Sequence, residues 1–267
     1  MQSIAEKIIH FDIPGVNTGI SKGILISPQF GLPLVLMVHG TGNDRNYPWA
    51  NVVECLVGSG FQVAVFDLPG HGKDSTDFLG ENAAASVENA LTALHGLTLW
   101  SKLFGLGQSL GGSLLLEAAS QKNLGFKKLS IWGIPSDRTP DFRVLTELMS
   151  PFLISTWSLP NYYGFWGSLP ALFHFKRKEF PIRSNQIHYV EYVLDLIKNS
   201  RQKMVPKGCP PTQFIHGNID FIADMEFAET LVNQIQNSHM KTIFESHFSL
   251  LCSENAADLA IDWFLQA

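Results

Sequence analysis

The chain's 267 residues are 45% hydrophobic, enough to bury one large core, and a single α/β domain is the expectation at that length. A net charge of −5 with only 16% charged residues offers no concentrated basic surface, which argues against nucleic acid as a partner. Three scattered cysteines, Cys55, Cys209 and Cys252, argue against a disulfide framework, fit reduced thiols in a cytoplasm, and lack metal-ligand spacing.

The first fifteen residues alternate charged and apolar side chains too soon to form the apolar region of a signal peptide, and no run of about 18 uncharged apolar residues follows. A cytoplasmic protein without stable membrane insertion is expected. Ile4 to Ile13 and Gly19 to Ile26 read as two strands around the turn-rich Pro14 to Thr18, an antiparallel entry to a sheet. Pro33 to Val38 is continuously apolar, as in a strand covered on both faces, and ends in His39-Gly40-Thr41-Gly42. A helix near Trp49 to Ser59 leads to a strand at Gln62 to Phe66. That strand is closed by the loop Asp67-Leu68-Pro69-Gly70-His71-Gly72.

After a helix near Ala83 to Leu97 comes the stretch Lys102 to Glu117. It holds Gly107-Gln108-Ser109-Leu110-Gly111, a G-x-S-x-G between a short apolar run and a helix-like run. In that setting a serine sits on a sharp strand-to-helix turn with its hydroxyl clear of the sheet edge. The glycines allow close approach of strand and helix, and the helix N-terminus faces the reaction centre. The pentapeptide alone arises by chance in roughly one chain in ten. A dinucleotide loop competes, because Gly105-Leu106-Gly107 opens like G-x-G-x-x-G. Leu110 stands where the third glycine belongs, however, and no acidic residue follows at the required distance.

Lys127 to Gly133 makes a further strand, so strands and helices alternate at the βαβ interval and predict a mostly parallel sheet. Ligands bind such a sheet beyond the C-terminal strand ends, where Thr41, His71 and Ser109 all fall. From residue 134 to 207 the alternation stops, and prolines and aromatics crowd together. This segment reads as a helical cap in which Trp157, Tyr162, Phe165 and Trp166 are candidates for an apolar substrate pocket. An equally plain reading has these rings filling the cap's own core. The basic residues of its later part, Lys176 to Lys207, read as a solvated face.

The parallel pattern resumes with Pro211 to His216, followed by Gly217-Asn218-Ile219-Asp220. A helix at Met225 to Gln236, a last strand at Lys241 to Glu245, the sequence Ser246-His247-Phe248 and an amphipathic helix at Ala256 to Leu265 complete the chain. A serine hydroxyl is a weak nucleophile unless a base, normally a histidine oriented by a carboxylate, stands beside it. The chain supplies Ser109, Asp220 and His247 in that order, the last two each just beyond a strand. His39 and His71 read as loop braces, His216 as a repeat of the His-Gly strand ending, and His239 as lying before the last strand, at the wrong edge.

HGTG, DLPGHGKDS, GLGQSLGG, HGNID and SHF together resemble the α/β-hydrolase superfamily, over Leu34 to Gly133 and from Thr212 onward, and most the esterase, monoacylglycerol-lipase and serine-aminopeptidase-like branch. The resemblance implies a mostly parallel sheet flanked by helices, with residues 1–133 and 208–267 forming the core and the 134–207 cap inserted after the sixth strand. It also implies Ser109 as nucleophile, His247 as general base and acid, Asp220 as the carboxylate, and an oxyanion hole from the backbone N–H groups of Thr41 and Leu110. The proline that often follows the acid in relatives is absent, so Asp224 and Asp137 stay open as alternatives to Asp220. The implied activity is cleavage of an ester or thioester of an apolar acyl group, with neither cofactor nor metal. C–C bond hydrolysis, peptidase or acyltransferase chemistry, and a non-catalytic ligand-binding member, share the fold and remain open. Serine at the elbow argues against dehalogenase and epoxide-hydrolase chemistry, which needs a carboxylate there.

Overall fold

The computed structural model describes residues 7–14, 19–41, 43, 45, 50–72, 83–135, 189–223 and 225–266. Eight strands form one sheet: β1 (Lys7–Pro14), β2 (Ile20–Ser27), β3 (Leu34–Val38), β4 (Gln62–Phe66), β5 (Leu103–Gln108), β6 (Phe126–Trp132), β7 (Thr212–Gly217) and β8 (His239–Ile243). Their spatial order is β1-β2-β4-β3-β5-β6-β7-β8. β1 with β2, and β2 with β4, run antiparallel, and every other pair is parallel.

Six helices pack on the sheet among the described residues: α1 (Ala50–Gly58), α2 (Ala85–His95), α3 (Leu110–Gln121), α4 (Tyr189–Lys203), α5 (Met225–Gln234) and α6 (Glu254–Leu265). Alternation along β3 explains the layering. Leu34, Leu36 and Val38 point to one face, where they meet Val87 and Leu91 of α2 and Leu114 and Leu115 of α3. Val35 and Met37 point to the other, against Val52 and Leu56 of α1 and Ala260 and Phe264 of α6. With both faces covered, β3, β4 and β5 are buried along their whole length, which is why β3 reads as an unbroken apolar run.

The strand order places the site. From β3 the sheet grows one way through β4 and the other way through β5, so β3 and β5 flank the point where the winding reverses. A crevice opens at their C-terminal ends, where His39-Gly40-Thr41 and Ser109 lie. α4 belongs to the segment read as a cap, yet Leu196 and Ile197 join the core cluster, and Ser200 donates to the buried Glu117 carboxylate of α3 at 2.6 Å.

Most strand limits fall within one to three residues of the sequence reading, and the last strand is the one whose shift moves a histidine. β8 begins at His239, two residues before the expected Lys241, so His239 is the first residue of the strand rather than lying ahead of it. Pairing with β7 decides this, since Gln213 stands opposite His239 and Gly217 opposite Ile243. β8 is an edge strand that is only half buried, so its alternation is weak in the sequence.

Candidate active site

Ser109 lies between β5 and α3 with φ 52° and ψ −123°, a backbone conformation that a non-glycine residue adopts only when its surroundings impose it. The imposing contacts are visible. Its N–H donates to the Trp132 carbonyl at 2.9 Å, and its carbonyl accepts from the N–H groups of Gly112 and Ser113 at 2.9 and 3.2 Å. A Cβ on Gly111 would come within 2.1 Å of the Val38 carbonyl oxygen, and one on Gly107 within 2.7 Å of the Gly112 Cα. The motif glycines are therefore required by backbone contact between α3 and the ends of β3 and β5. Leu110 is the first residue of α3, where a helix has no internal acceptor for the N–H.

Asp220 follows β7 on a turn closed by its own N–H to the Gly217 carbonyl at 3.1 Å. One carboxylate oxygen, Oδ1, accepts from the N–H groups of Ile222 and Ala223 at 2.9 and 2.7 Å. The other, Oδ2, lies 2.8 Å from His247 Nδ1, with the Asp220 side chain fully buried and that of His247 4% exposed. Burial pushes the carboxyl's pKa up, but the attraction and hydrogen bond of His247, the Ala223 N–H and the charge of His216 outweigh it and hold the group below its ordinary value. An ionised Asp220 fixes the His247 proton on Nδ1 and leaves Nε2 as the basic nitrogen.

A family profile described as "alpha/beta hydrolase fold" matches residues 33–153. Among solved structures, the esterase from Exiguobacterium antarcticum superposes with a TM-score of 0.69 at 18% identity, covering 97% of this chain and 100% of that one. The 2-hydroxy-6-oxo-6-phenylhexa-2,4-dienoate hydrolase from a Rhodococcus species does so with a TM-score of 0.70 at 18% identity, covering 98% and 100%. The chain has the α/β-hydrolase fold. A stretch of 109 residues, 39% of the chain, is 30% identical to the 2-succinyl-6-hydroxy-2,4-cyclohexadiene-1-carboxylate synthase of Klebsiella pneumoniae and spans 40% of that relative's length.

Within this hydrolase fold the loop after β3 is braced as its histidines suggest. His39 donates from Nδ1 to the Gly40 carbonyl at 2.8 Å and accepts at Nε2 from the Leu68 N–H at 2.9 Å. The ring of His71 lies 5.3 Å from that of His39, centroid to centroid. Arg45 joins the same two loops, donating to the Asp67 carboxylate through its backbone N–H at 2.8 Å and through its guanidinium. Thr41 is thus carried on a loop tied to the end of β4.

Two residues near the site escaped the sequence reading. Gly133, directly after β6, has φ +54°, and a Cβ there would lie 3.0 Å from Asp220 Oδ2 and 3.1 Å from His247 Nδ1. A glycine closing an apolar strand beside the elbow strand was the available signal. Gln108, an unspecified position of the motif, places its amide nitrogen 3.2 Å from His247 Nε2. Trp157, Tyr162, Phe165 and Trp166, and the alternative acids Asp137 and Asp224, lie outside the described residues. Among the described residues no helix is long and apolar enough to cross a membrane, and no three His, Cys, Asp or Glu side chains are grouped to hold a metal ion.

Proposed function

We propose that this protein is a serine hydrolase of the esterase-like branch, cleaving a carboxylic ester or thioester of an apolar acyl group through a Ser109-His247-Asp220 triad, without a cofactor. The observation that carries the reading is the 2.8 Å contact between His247 Nδ1 and the buried Asp220 carboxylate, with Nε2 left as a base at the sheet end that bears the strained Ser109. Ser109 Oγ attacks the carbonyl carbon while its proton passes to His247 Nε2. The oxyanion that forms is held by the N–H groups of Leu110 and Thr41. Collapse expels the alcohol or thiol, protonated by His247, and leaves an acyl-enzyme that water cleaves by the same steps in reverse roles. Each oxyanion donor contributes about 3 kcal/mol to the transition state.

In this proposal residues 134–207 form the cap that shapes the acyl pocket, with Trp157, Tyr162, Phe165 and Trp166 as its apolar walls. The partner is a small-molecule acyl substrate and the location cytoplasmic. The test is fluorophosphonate labelling beside turnover of nitrophenyl esters of increasing acyl length. Wild type labels and turns over, Ser109→Ala and His247→Ala lose about 10⁴-fold or more of turnover, and the length preference sizes the pocket. Turnover retained in both variants would refute the triad. A wild type that labels but cleaves no ester would move the activity to another bond of the same chemistry.

A further inference from the structure

Gln108 stands inside the proposed machinery with no part in the steps above. The residue is 1% exposed, and its amide nitrogen is 3.2 Å from His247 Nε2. The amide oxygen lies over Gly40, where a Cβ would come within 2.1 Å of it, and it is buried with no hydrogen-bond partner among the described residues.

The bond from His247 Nδ1 to Asp220 leaves Nε2 with one in-plane lone pair. An amide nitrogen only donates, so the Gln108 N–H points at that lone pair. The Ser109 hydroxyl must give its proton to the same lone pair, and one acceptor cannot serve two donors at full strength. We propose that Gln108 is a positioning residue that occupies the His247 base in the resting enzyme and yields it to Ser109 when a substrate carbonyl enters over Gly40 and turns the amide away. This rests on the triad reading above. The resting contact is built to yield, because it leaves a buried amide oxygen without a donor among the described residues. A group arriving over Gly40 meets that oxygen first.

Among the described residues, the ionisable groups on the elements around the imidazole include Asp220, bonded to Nδ1, His216 at the end of β7, which acts on Asp220, and the buried Glu245, two residues ahead in the chain. All are kept in the variants that follow, so a change in the His247 titration reports the amide. Gln108→Met keeps side-chain length and removes the donor. The His247 ring nitrogens are followed by 1H–15N NMR across pH in wild type, Gln108→Met and Ser109→Ala, with the backbone amide spectrum as the check on folding. Gln108→Leu replaces the methionine variant should that one not fold.

Loss of a donor to neutral Nε2 favours protonation. The titration is therefore expected to rise by about one pH unit in Gln108→Met and to stay in place in Ser109→Ala. Above both titrations, fluorophosphonate labelling of Gln108→Met is expected to be several-fold faster than that of wild type. A titration unmoved by Gln108→Met, one moved by Ser109→Ala instead, or labelling no faster than wild type would each overturn the proposal. A wild type that never labels, while its His247 titration still responds to Gln108→Met, would locate the failure in the serine chemistry and overturn the resting-state role with it.

Discussion

Gly133 shows how little room Asp220 and His247 have. Its φ of +54° suits glycine, and the position a Cβ would take presses on both partners of the Asp220 to His247 hydrogen bond. Gly133→Ala should cost about 1–2 kcal/mol from backbone strain alone. It should also lower ester turnover disproportionately, because the bond that orients His247 is the one disturbed. Denaturant unfolding and turnover measured on the same preparation check this, and unchanged turnover at reduced stability would show that the hydrogen bond tolerates the displacement. A glycine closing an apolar strand was the one sequence signal, and it was a faint one, since the residue's role comes from two side chains that arrive from much later in the chain.

The elbow is the element on which the site depends. The first turn of α3 lies on the end of β3, and at Gly111 the neighbours of an added Cβ are backbone carbonyls, which cannot rotate aside. Gly111→Ala should therefore cost about 3 kcal/mol or more and move the Ser109 turn, read as a lowered urea midpoint with fluorophosphonate labelling lost. The central strand β3 was legible because coverage on both faces makes it an unbroken apolar run. β4 was read to the residue, and the antiparallel entry and the elbow strand within a few residues. The edge strand β8 was misplaced by two residues because its side chains are half exposed and its limits are set by pairing with β7. Gln108 was missed because position x of the motif carries no steric requirement. Its role depends on the geometry of His247, which lies 139 residues away in sequence.

For the whole molecule, the order Ser109, Asp220, His247 was readable because a wound parallel sheet carries successive strand ends to one edge. Asp220 follows β7, His247 follows β8, and their contact is a consequence of strand order. The same contact ties global stability to pH. Asp220 is held below its ordinary value in the folded chain, so its contribution is fully present above about pH 4, the unfolded value, and is lost as pH falls through the folded one. Unfolding free energy measured between pH 6 and 3 should fall with acid, and the fall should be shallower in Asp220→Asn. An identical acid dependence in the two proteins would mean that other carboxylates carry the effect.

The account stands on an activated Ser109, and fluorophosphonate labelling of wild type beside Ser109→Ala and His247→Ala tests that most directly. The expected result is stoichiometric labelling of wild type, none of Ser109→Ala, and labelling slowed by orders of magnitude in His247→Ala. Labelling of Ser109→Ala at the wild-type rate, or no labelling of wild type at any pH, would contradict it.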